Sequence, residues 1–143
     1  MSGAADLTAG LVAYLKTPAV LHQLVQGRVF GGELPASETA AMPRKALVVA
    51  TSGGISLMGA SFIEADTQRV DLFAFGETPI EAGRVMAEAA LAMRRLRRSI
   101  HAGVLIHWVN PAGGAIPGRE PQTEWPRQFQ SFQVMHGLVQ VAE

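Results

Sequence analysis

Residues 69–98, RVDLFAFGETPIEAGRVMAEAALAMRRLRR, decide the fold. They read as a strand, a tight turn and a long amphipathic helix. In the strand Val70, Leu72 and Ala74 point one way and Asp71, Phe73 and Phe75 the other, the period-2 pattern of a half-buried strand. Thr78 is placed to cap the helix, Pro79 suits its first position, and Glu81 completes the spacing of a capping box. An apolar stripe then runs through Ala82, Met86, Ala89, Met93, Leu96 and Ile100. Its steps of four and three residues predict that all six share one helical face. The polar residues of this unit lie outward, with none arranged as a catalytic group.

Working outward, residues 6–26 predict two helices. Asp6 can cap the first, which carries Leu7, Leu11, Val12 and Leu15. Thr17-Pro18 restarts the pattern, with Val20, Leu21, Leu24 and Val25 on the second apolar face. Gly27 is the expected stop. Residues 28–30 read as a short extended piece, and 31–43, with two Pro and two Gly, as a loop. The apolar run 46–51 predicts a strand buried on both faces, followed by a turn at Gly53-Gly54. Residues 62–75 supply one long strand or two joined ones, and 104–109 another. Residues 110–127 hold four Pro and three Gly and show no periodicity, so a long loop or arm is expected. From Phe129 to Val141 strand character returns. Phe132 and Val134 are out of phase with Val139 and Val141 unless a bulge near Gly137 realigns them. The expected fold class is α+β. Residues 1–143 form a single two-layer domain, with a mixed, mostly antiparallel sheet and helices mainly on one face.

Composition excludes several functions. Twelve Lys and Arg balance twelve Asp and Glu, so no globally basic surface drives nucleic-acid binding. The chain has no Cys, which removes disulfides, thiol catalysis and thiolate metal sites. No leader-like N-terminus and no membrane-spanning apolar run is read. Histidines 22, 101, 107 and 136 lack metal-ligand spacing, and His107 reads as a structural residue of its strand. Ser52-Gly53-Gly54 is neither a nucleophile elbow nor a phosphate loop. Glu64 and Asp66 share a strand face opposite to Asp71, the pattern of a solvated strand. No catalytic residue, cofactor or metal site is expected.

Two features suit binding. Arg94, Arg95, Arg97 and Arg98 cluster at the helix end, where cations complement the helix dipole, each by about 0.3–1 kcal/mol. The same cluster could meet a subunit or DNA phosphates. Trp125, in the Pro-stiffened loop, either anchors the loop on its own domain or docks a partner. Arg119 and Glu120 in that loop join these residues as a candidate subunit or tail interface.

The order of segments resembles the tail terminator, or tail completion, proteins of long-tailed bacteriophages and gene transfer agents. LVQGRVFGGELP (24–35) is similar to the family's Gly-Arg-hydrophobic segment leading to a Pro, and KALVVATS (45–52) to its hydrophobic strand. RVDLFAFGETPIEAGRVMAEAALAMRRL (69–96) is similar to its strand, Gly-containing turn and helix. REPQTEWPRQFQSFQV (119–134) resembles its late loop and closing strand. The Gly- and Pro-rich 110–118 section departs from the pattern. The resemblance implies a non-enzymatic virion protein, assembled in the bacterial cytoplasm. It implies a hexameric ring that caps the tail tube and ends its polymerisation at the head-proximal end. The implied partners are copies of itself, the tail tube protein and a head-tail connector or stopper protein, with DNA only as passing cargo. A head-completion ring protein or a small ligand-binding or hydrolytic domain are the alternatives.

Overall fold

The computed structural model describes residues 3–57 and 64–142. The element order is α1 (Leu7–Leu15), α2 (Ala19–Val25), β1 (Val29–Gly31), α3 (Ala36–Thr39), β2 (Ala46–Gly53) and β3 (Ala65–Phe75). Then come α4 (Pro79–Arg95), β4 (Ser99–His101), β5 (Val104–Pro111), β6 (Ile116–Arg119) and β7 (Pro126–Gly137). The fold is a single α+β domain, its sheet mostly antiparallel. Of the expected strand at 62–75, residues 62 and 63 lie outside the described residues.

The deciding stretch folds as its pattern requires. Val70, Leu72 and Ala74 are fully buried under the helices. The Thr78 side chain accepts from the Glu81 amide at 3.2 Å, and Pro79 opens α4. Glu81 reaches back to the amide of Glu77 at 3.3 Å, one residue beyond the cap residue that a capping box would serve. The helix buries Ala82, Val85, Met86, Ala89, Ala92 and Met93. Each of the larger side chains contributes roughly 1.5–3 kcal/mol by leaving water. The stripe does not continue to Ile100. Leu96 turns extended, with ψ 124°, and ends the helix. Ile100 therefore sits on β4, reached by chain reversal and not by helical periodicity.

At the N-terminal end the Asp6 side chain accepts from the Ala9 amide at 3.2 Å and starts α1. Leu7, Leu11, Leu15, Leu21 and Val25 enter the core. Val20, expected on the apolar face of α2, is instead 50% exposed. Leu21 and Val25, one helical turn apart, define the buried side of α2, and Val20 lies off it. The stop comes one residue early: Gln26 takes the left-handed conformation, with φ 52°, and its amide bonds to the His22 carbonyl. The expected loop at 31–43 contains the single turn α3. There Glu38 is buried and is held by a two-pronged ion pair to Arg44, at 2.6 and 2.7 Å.

The sheet runs β1-β2-β3-β7-β5-β4, with β6 paired to β7. Among the described residues only β1 and β2 pair in parallel; the other pairs are antiparallel. As expected, β2 is buried on both faces from Ala46 to Val49. Leu47 and Val49 join the core with the helices, while Val48 aligns with Phe73 on the opposite face.

The arm expected at 110–127 is largely built into the sheet. β5 pairs with residues 132–136 of β7, and β6 with residues 126–129, along the same edge. Residues 106–119 thus run along one side of β7, interrupted at 112–115. The chain returns into β7 through the turn at residues 120–125, closed by the Glu120 amide on the Trp125 carbonyl at 2.9 Å. Local composition hid this strand. Its partner is β7, and an edge strand tolerates Pro117 because one side of it needs no ladder donor. The bulge near Gly137 does not exist. β7 ends there, Val139 bridges to Ala4, and Val141 is exposed. The irregularity falls instead in β5, where His107 is the extra residue between Ile106 and Trp108.

Candidate interaction surfaces

The residues singled out by sequence fall at two ends of the molecule. Arg94 and Arg95 close α4, while Arg97 and Arg98 lie just beyond it, and all four are exposed. Arg97 donates to the Arg94 carbonyl at 3.0 Å and to the Leu96 carbonyl at 3.4 Å. It satisfies carbonyls that the helix end leaves without partners, as the dipole reading requires. The ion pairs found among the described residues, Glu38–Arg44 and Asp71–Arg69, involve none of the four.

Arg119, Glu120 and Trp125 come together at the opposite end, in the β6–β7 turn. Arg119 donates to the Glu124 carbonyl at 2.9 Å. One Glu120 carboxylate oxygen accepts from the Thr123 hydroxyl, the Thr123 amide and the Gln122 amide, at 2.6, 2.6 and 3.0 Å. The Thr123 hydroxyl and amide, in that order, hold the Glu120 carboxyl below its usual pKa. Trp125 is half-buried and meets Phe75 edge to face, with ring centroids 6.3 Å apart. It therefore anchors the turn on its own domain.

The turn borders a surface that the sequence reading missed. On the sheet face away from the helices, Phe73 and Phe129 pair at 5.3 Å, and the Arg127 guanidinium lies 5.0 Å above the Phe73 ring. Val48, Phe75 and Trp125 extend this surface into a groove of 450 Å³. The signal was present in the alternate phase of β3 and β7. That phase was read only as the side opposite to the core, although it carries aromatics in both strands. Farther along the same face Ser131 donates to Asp71 at 2.6 Å and accepts from Arg69 at 3.0 Å.

These groups do not make a catalytic centre. Asp66 bonds Ser56 and the Thr67 amide, and strand alternation puts it on the face opposite Asp71. Glu64 is exposed just before β3. His107 sits on its bulge with its pKa lowered, mainly by burial and further by the charges of Arg98 and His136. His136 is buried, with Nδ1 2.9 Å from the Gly137 carbonyl oxygen. Among the described residues no three His, Asp or Glu side chains gather as metal ligands would. No helix among them is long and apolar enough to cross a membrane.

No protein-family model and no curated protein matches the sequence. Among solved structures, a chain in the virion of a native gene transfer agent particle superposes with a TM-score of 0.63, covering 94% of this chain and 95% of that one. This chain has the fold of that virion component. At 15% identity the likeness is one of fold, and it runs from end to end.

Proposed function

We propose that the chain is a structural virion protein acting as a tail terminator. Its copies form a ring, a hexamer in our reading, that caps the tail tube. The ring ends tube polymerisation and gives the head connector or stopper protein a surface to join. DNA passes through the lumen as cargo. The protein works by shape and binding, with no bond made or broken. The observation that carries this reading is the end-to-end fold likeness to a gene transfer agent virion component. The segment order that resembles tail terminators points the same way.

The structure supplies what such a ring needs. Closed rings use heterologous contacts, in which one patch meets a different patch on the neighbour. This molecule exposes distinct surfaces at its two ends, an open edge along β6 and an aromatic face away from the helices.

The test is an image of the native particle with this chain labelled. A ring at the head-proximal end of the tail supports the proposal. Label on the adjacent connector ring would make the chain a head-completion protein instead. Monomers alone at high concentration, together with normal tails after deletion of the gene, would refute the ring altogether. Deleting 112–124 is a poor test of an arm, because it removes β6 and so strikes the sheet as well as assembly.

A further inference from the structure

Two features of the helical layer lie at opposite ends of α4. At its first turn Ile80 is 79% exposed, beside exposed Glu77. Toward its last turns, α4 and the start of α2 enclose a groove of 300 Å³ lined by Pro18, Val20, Leu91 and Ala92, with Glu88 and Arg95 among its walls. Val20 and Leu91 are 50% and 39% exposed, large apolar side chains left open to water. From Ile80 to Leu91 a helix rises about 16 Å, so no copy can fill its own groove with its own Ile80.

We propose that this groove receives Ile80 of a second copy, and that the contact, repeated head to tail, builds the ring. The inference rests on the ring reading above and names the contact that makes it. Size permits the fit, since one isoleucine side chain is far smaller than the groove. Charge favours it. Ile80 arrives with Glu77, and the groove ends at Arg95 and Arg94, beside Arg97 and Arg98. These four have no carboxylate within ion-pair distance among the described residues. Glu81, also near the knob, is occupied with the Glu77 amide. The knob and the groove are different patches. The contact is therefore heterologous and closes into a ring when the rotation per copy permits.

The test uses two single variants of the full chain, Ile80→Asp to remove the knob and Val20→Asp to spoil the groove. Both positions are exposed, so each variant keeps the circular dichroism and melting of the parent. Sedimentation should show the parent as rings and each variant as monomer, with association weakened roughly tenfold or more, as at an interface anchor. Mixed together, the two variants have one intact knob and one intact groove between them, so they should form a heterodimer and stop there. Leu91→Asp repeats the groove arm independently. If either variant still forms parental rings, or the mixture stays monomeric, the contact is refuted while the ring stands. If the variants form rings but no longer cap tail tubes, the groove serves a different protein and the self-contact is refuted. A parent that never forms rings sinks the tail-terminator reading itself.

Discussion

Replacing Gly76 with alanine tests the joint on which the fold turns. Gly76 links the end of β3 to the cap of α4. A Cβ at this position would lie 2.5 Å from the Ala82 amide nitrogen, 2.7 Å from the Glu81 Cβ and 2.9 Å from the Glu81 carbonyl carbon. Two of these are main-chain atoms of the helix's first turn, and none is the loose end of a side chain. Relief requires the first turn to move off the strand. That movement strains the Thr78 cap and the long bond from the Gly76 amide to the Pro126 carbonyl, 3.4 Å. Overpacking against atoms that cannot yield costs about 3 kcal/mol, the upper part of the usual range. Alanine also narrows the unfolded ensemble, which returns about 0.4–1 kcal/mol. The net loss is about 2–3 kcal/mol, or roughly 6–12 °C in melting temperature for a domain of this size. Thermal and urea unfolding followed by circular dichroism read this directly. Gly118→Ala is the matched control: a Cβ there meets nothing within 4 Å. It should change stability by less than about 0.5 kcal/mol. If Gly76→Ala melts within about 2 °C of the parent, a shift below 1 kcal/mol, the argument from close approach is wrong.

Other substitutions probe other parts. Thr78→Ala removes the side chain that accepts from Glu81 and should cost about 1 kcal/mol in urea unfolding. Glu38→Gln breaks the two-pronged bond to Arg44 and should cost about 1–3 kcal/mol, with Arg44→Gln giving a similar loss. The Arg44 hydrogen bond, the strongest influence on Glu38, depresses its carboxyl pKa in the folded state. The linked stability is therefore full above the unfolded carboxylate value of about 4.3 and drains away as pH falls below it. Parent and Glu38→Gln melting curves should converge there, and a constant gap from pH 7 to pH 3 would contradict this. Trp125→Ala removes the edge contact on Phe75 and should cost about 0.5–1.5 kcal/mol beyond the lost burial. An unchanged melting temperature would mean that the turn is anchored by its hydrogen bonds alone.

Much of the molecule was legible in short windows of sequence. The Thr78 cap, the Pro79 start and the buried stripe of α4 follow from contacts between residues three and four apart, so spacing alone implies them. The same holds for Asp6 at α1 and for the alternation in β3. Leu96 shows where local reading stops. A residue at helical spacing continues a helix only while the backbone stays helical, and the turn into β4 is decided by pairing with β5.

The residues that matter for binding were visible as types but not as places. Arg94, Arg95, Arg97 and Arg98 were evident as a cluster, yet their lack of ion-pair partners among the described residues depends on what packs nearby. Trp125 was evident as a residue that either anchors the loop or docks a partner. That it anchors on Phe75 depends on β7 lying beside β3. The aromatic face appears only when Phe73 and Phe129, 56 positions apart in the sequence (129 minus 73), are brought opposite each other by strand register.

By itself, then, the sequence determined α1, α4, β2 and β3 and the apolar side of α1, α4 and β3, because those properties arise between near neighbours in the chain. Tertiary structure alone decided that a Pro- and Gly-rich stretch becomes the edge strand β6 and that Ile80, Val20 and Leu91 stay in water. Those outcomes depend on hydrogen-bond donors and packing surfaces supplied by distant residues, and no local pattern encodes them.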